Sequence, residues 1–103
     1  MNAISKDTAM DIALAYREVE TAEKLLAEIV EGMKGHNKAP DIRDAFGRRP
    51  DGLQLGVPHG KSGHMIYDVP WTLAKPIIET HIAHHRARIE MLTAKAREEM
   101  GGA

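Results

Sequence analysis

Two stretches of this chain repeat apolar residues in alternating steps of three and four, and that spacing restricts each stretch to an amphipathic helix. The first series is Ile12, Ala15, Val19, Ala22, Leu26, Ile29 and Met33, widened by Leu14, Tyr16, Leu25 and Val30. The second is Trp71, Ala74, Ile78, Ile82, His85, Ile89, Leu92 and Ala96. Strands would place apolar side chains at every second position, which neither series does. Ser5 is an N-cap residue type, Ile4 before it is half of a hydrophobic staple, and Asp7 and Asp11 suit the positive end of a helix dipole. With Gly32 or Gly35 as the stop, the first helix is predicted over about residues 5–33, roughly 40 Å at 1.5 Å per residue. The second follows Pro70, has Asp68 near its start, stops at Gly101 and Gly102, and is predicted over about residues 70–99. Pro76 lies past its first turn and has no N–H to donate, so a kink or a restart is expected near Lys75.

The segment between them is of another kind, because Lys34 to Pro70 holds six of the nine glycines and four of the five prolines. Pro40 to Phe46 is expected to form a short helical turn stopped at Gly47. Leu53, Leu55 and Val57 alternate as a strand, which His64 to Tyr67 can pair with across the loop Pro58 to Gly63. A hairpin over about residues 53–67 is marginal alone, so Leu53, Leu55, Val57 and Ile66 or Met65 must lean on the helices. The predicted fold is mainly α and a single domain over residues 1–103. Two long antiparallel helices flank a Gly/Pro-rich insert, residues 34–70, in α-β-β-α order.

A chain of 103 residues buries only about 60–65% of its unfolded surface, and two helices alone leave much of each apolar stripe wet. Self-association through the helices is therefore expected. Its interface residues are Ile12, Val19, Leu26, Ile29, Ile78, Ile82, His85, Ile89 and Leu92. The absence of cysteine excludes disulfides, thiolate nucleophiles and Cys-based zinc sites, and fits a reducing compartment. No apolar run approaches about 18 residues, and the opening residues have no apolar segment of a signal peptide, so a soluble cytoplasmic protein without membrane contact is expected. The net charge of −1 hides an acidic first helix, with seven acidic and three basic side chains from Ser5 to Met33. That helix can face basic surface from the rest of the chain or from a second copy.

Gly56 to Ser62 resembles a phosphate-cradling loop in composition, yet it is one residue short of G-x-x-x-x-G-K-S and a strand is predicted where that motif needs a helix. A looser reading leaves His59, Gly60, Lys61, Ser62 and His64 as contacts for a small phosphorylated or nucleotide-like ligand. Gly60 to His64 also nearly matches the G-x-S-x-G nucleophile elbow, but His replaces the last glycine and no parallel sheet is available to strain the turn. With Ser5 used as a cap, no serine triad assembles, and no catalytic residue is expected. Arg43, Arg48, Arg49 and Lys61 in the insert, with His84, Arg86 and Arg88 on the second helix, can track phosphates or pair with the acidic first helix. The near-neutral net charge and the lack of a reading head make nucleic acid an unexpected partner.

Three of the six histidines, His81, His84 and His85, fall within one helical turn. His81 and His85 have the spacing of a metal pair, but H-E-x-x-H would need Glu where Ile82 stands, so no metal or other cofactor is expected and the pair is the weak candidate that remains. These residues together lead to the expectation of a non-catalytic interaction protein. It would self-associate through its helices and use residues 43–64 to engage a partner protein or a small anionic ligand. Small bacterial or phage proteins that inhibit or adapt another machine share this outline of size and shape.

Overall fold

The computed structural model describes residues 3–34, 42–43, 46–61 and 63–101. Helix α1 spans Lys6–Gly32, strand β1 Gly52–His59, strand β2 Gly63–Pro70 and helix α2 Trp71–Glu99. The α-β-β-α order and the mainly helical content are those the periodicities predict. The short turn expected over residues 40–46 falls largely outside the described residues.

The chain divides into two compact units. The first takes α1 up to Lys24 and α2 from Glu79 onward, and it buries Thr8, Ala15, Val19, Ala22, Ile82, Leu92 and Ala96. Within it the helix segments run antiparallel, since Ser5 and Thr8 meet Glu99 while Glu18 meets His81. The second unit, Leu25–Ile78, holds the end of α1, the hairpin and the start of α2, and it buries Ile29, Val69, Trp71, Ala74 and Ile78.

Ser5 caps α1 as expected, and its hydroxyl accepts a hydrogen bond of 3.1 Å from the Thr8 backbone N–H. A chain of hydroxyls continues from there. Ser5 Oγ donates to Thr8 Oγ1 at 2.9 Å, and Thr8 Oγ1, fully buried, donates to Glu99 Oε2 at 2.9 Å. Glu99 Oε1 in turn accepts from the Ser5 backbone N–H at 3.2 Å. In a capping box the residue three places after the cap returns a carboxylate to the cap N–H. Here Glu99, at the far end of the sequence, supplies that carboxylate and leaves Thr8 to relay between cap and acid.

Those bonds hold the Glu99 carboxyl below its usual pKa, the Thr8 hydroxyl contributing most, with the Ser5 donors and Lys95 adding to it against the opposing effect of desolvation. A carboxyl depressed on folding adds stability that is complete above the ordinary glutamate range and disappears as pH falls through the folded value. The urea midpoint is therefore expected to drop as pH is lowered through the acid range, and Glu99→Gln is expected to flatten that limb. Ser5→Ala is expected to lose about 1 kcal/mol near neutral pH, the usual worth of an N-cap. A Glu99→Gln acid limb identical to the wild type would show that the clasp does not titrate.

Strand β2 runs into α2 without a loop. Pro70 ends the ladder opposite Gly52, and its fixed φ suits entry into a helix, so α2 begins at Trp71. Asp68, near the start of α2, is thereby placed in β2 opposite Gln54. The restart expected near Lys75 does not occur, as α2 is one helix through Pro76. At its other end Gly101 takes φ 79°, a left-handed value natural to glycine, and its N–H reaches the Glu98 carbonyl at 3.0 Å. Among the described residues no helix is long and apolar enough to cross a membrane.

Candidate functional site

The hairpin register pairs Leu53 with Val69, Leu55 with Tyr67 and Val57 with Met65. Directly opposed residues share a face, so these six apolar side chains form one uncharged row, while Gln54, Gly56, Pro58, His64, Ile66 and Asp68 lie on the other side. The row is covered at its base and open toward its tip. Val69 is buried and Leu53 and Leu55 are half-buried, whereas Val57, Met65 and Tyr67 are exposed. Leaning was expected through Leu53, Leu55, Val57 and Ile66 or Met65, but the burial reaches only the first two of these, and Val69 completes the base. Trp71 anchors this end, its indole N–H donating to the Pro50 carbonyl at 3.2 Å.

The sequence-expected binding residues of the insert all belong to the second unit. Arg43 donates to the Gly47 carbonyl at 3.0 Å, and the Arg48 guanidinium stands 5.6 Å from the centroid of Phe46, itself 82% exposed. Arg49 is exposed next to them. His59, Gly60, Lys61 and His64 are exposed at the hairpin tip, and Ser62 lies outside the described residues. Strand β2 follows at once, so the helix N-terminus that a phosphate-cradling loop relies on is missing there. Two recesses of this unit are lined elsewhere, one by Ala27, Glu28, Glu31, Gly32 and Ile42 and the other around Ile29, Met33, Trp71 and Lys75.

The helix residues expected at an interface between copies separate into two groups. Val19, Ile29, Ile78, Ile82 and Leu92 are buried within the chain, while Ile12, Leu26, His85 and Ile89 are half-buried. Arg86 and Arg88, considered above as phosphate contacts, lie 3.3 Å from Glu23 and 3.9 Å from Asp11 respectively. The acidic first helix thus meets basic side chains of α2 inside one unit, through exposed pairs worth little individually.

The first unit also assembles a cluster that the sequence only half shows. His81 Nε2 faces Glu18 Oε2 at 3.1 Å, and His81 and His85, one turn apart on α2, have ring centroids 4.5 Å apart. The His84 ring approaches His85 at 5.0 Å, also edge to face. Glu18, His81 and His85 each bring one donor atom within 4.8 Å of the others. His85 Nδ1 is buried without a hydrogen-bond partner among the described residues. Burial lowers the pKa of His85, His81, His84 and Arg88 push the same way, and Glu18 opposes them. The i, i+4 histidine spacing signalled two of these donors. Glu18 was missed, because no spacing within one helix reveals which residue of another will stand opposite.

Comparison with protein-family models, curated proteins and solved structures returns no match to this chain.

Proposed function

We propose that the protein works without catalysis, as a self-associating interaction protein whose copies join through the hairpin while the basic residues of the insert face an acidic surface of a protein partner. The observation that carries this reading is strand β1. Its eight residues include no Lys, Arg, Asp or Glu, and the edge not bonded to β2 bears no strand among the described residues. Natural sheets blunt such edges with charge, bulges or proline, and β1 has only Pro58, near its tip.

A second copy is the occupant this edge fits. Antiparallel pairing of β1 with its own copy about a twofold axis uses the same surface on both partners, opposes no like charges, and turns two marginal hairpins into a four-stranded sheet. The row Leu55, Val57, Met65 and Tyr67 would then continue from one copy into the next. Arg43, Arg48, Arg49 and Lys61 are exposed in the same unit, and they are the residues proposed to meet an acidic partner. Helix-mediated association has less surface to draw on, since five of its expected residues are buried within the chain.

The test is mass in solution. Sedimentation equilibrium of the full chain at micromolar concentration is expected to give a dimer. Val57→Lys, which puts a charge on the exposed part of the row, is expected to weaken it at least about tenfold, while Val57→Thr keeps it. A folded wild-type chain that stays monomeric throughout that range, or a dimer indifferent to Val57→Lys, would overturn the reading.

A further inference from the structure

We propose that Glu18, His81 and His85 form a binding site for a divalent transition-metal ion, with zinc the ion their donors suit. The inference is independent of the hairpin, since all three residues belong to the other unit. Two imidazoles and one carboxylate are the borderline donor set that zinc takes in sites with three protein ligands, where the fourth tetrahedral position is left to water or a ligand. Bonds of about 2.0–2.1 Å at tetrahedral angles put donor atoms about 3.3 Å apart. The 3.1 Å between His81 Nε2 and Glu18 Oε2 already matches that separation. The donor atoms all lie within 4.8 Å of one another and can close further by side-chain adjustment, for which the half-exposed Glu18 and His81 are free enough.

An ordinary histidine–glutamate pair accounts for part of this arrangement only. It gives His81 a partner and leaves His85 beside it with a buried ring nitrogen that has none among the described residues. Orphaned buried nitrogens are uncommon in folded proteins, and an ion shared with the neighbouring ring is one of the ways they are satisfied. The backbone supports the geometry as well. His81 and His85 project from successive turns of α2, Glu18 comes from the antiparallel segment of α1, and one ion would cross-link the two helices. Acidic side chains alone would suit a harder cation held by oxygen, so the imidazoles decide the class of metal.

Zinc chloride titrated into the untagged full chain, followed by calorimetry and by melting temperature, tests the site. Saturation at one ion per chain is expected, with a melting temperature that rises with zinc and returns on chelation. Cobalt substituted for zinc is expected to show the intense visible bands of tetrahedral coordination, a readout that needs no variant. Glu18→Gln and His81→Gln are each expected to weaken zinc at least about tenfold, since each removes a direct ligand. The double variant His59→Gln with His64→Gln, at the hairpin tip, should bind as the wild type does. A cobalt spectrum of the pale octahedral kind, or zinc affinity unchanged in both folded single variants, would overturn the proposal.

Discussion

Trp71→Ala is expected to lose about 3–5 kcal/mol of stability, a large fraction of the roughly 5–15 kcal/mol that holds a chain of this size folded. Trp71 opens α2, is buried in the second unit, and ties the segment before β1 through its bond to the Pro50 carbonyl. Truncation removes the largest apolar side chain of that unit and leaves the carbonyl without its donor. Trp71→Phe should cost less, since it keeps most of the buried surface and gives up the hydrogen bond, worth about 1 kcal/mol. Urea unfolding followed by circular dichroism measures both. Fluorescence serves for the wild type alone, Trp71 being the one tryptophan. Equal midpoints for wild type and Trp71→Ala would mean that this side chain anchors nothing.

Gly52→Ala is the second substitution expected to have a large effect, and its contrast with Gly56→Ala makes it diagnostic. Gly52 is buried at the start of β1, and a Cβ placed there would run into the backbone carbonyl of Val69, its diagonal neighbour across the strands. Backbone cannot swing aside as a long side chain can, so the base of the hairpin must open. The cost is expected to be about 3 kcal/mol, the upper range for overpacking. A Cβ at Gly56, four residues along the same strand, meets nothing within 4 Å among the described residues and needs no left-handed conformation. Gly56→Ala is therefore expected to be neutral or to stabilise by about 0.4–1 kcal/mol through the unfolded chain. Amide exchange of β1 and β2 in the two variants checks the pair, and similar protection in both would remove the steric argument.

What could be read from the sequence was local. The three-and-four spacing placed α1 and α2 to within a residue or two of each end, Ser5 identified itself as a cap, and the alternation of Leu53, Leu55 and Val57 located β1. Each rests on residues close together in the chain. The contacts that build the sites are of the other kind. Glu99 closing on Ser5 and Glu18 facing His81 depend on how one helix is set against another along its length, and amphipathic spacing is nearly unchanged when a helix slides by a turn. Asp68 stands near the start of α2 as read, yet within β2, because an acid two residues before a proline suits a helix start as well as a strand that runs straight into one. Burial of Val19, Ile29, Ile78, Ile82 and Leu92 shows a further ambiguity. An apolar stripe reads the same whether the surface covering it belongs to its own chain or to a copy.

The first compact unit is discontinuous, built from the chain up to Lys24 and again from Glu79 onward, whereas the second is an unbroken stretch. Emergence of the chain from its N-terminal side therefore presents the whole of Leu25 to Ile78 before the residues from Glu79 onward that complete the first unit. The opening helix must wait for its partner, with Ser5 and Thr8 lacking their acceptor until Glu99 has been translated.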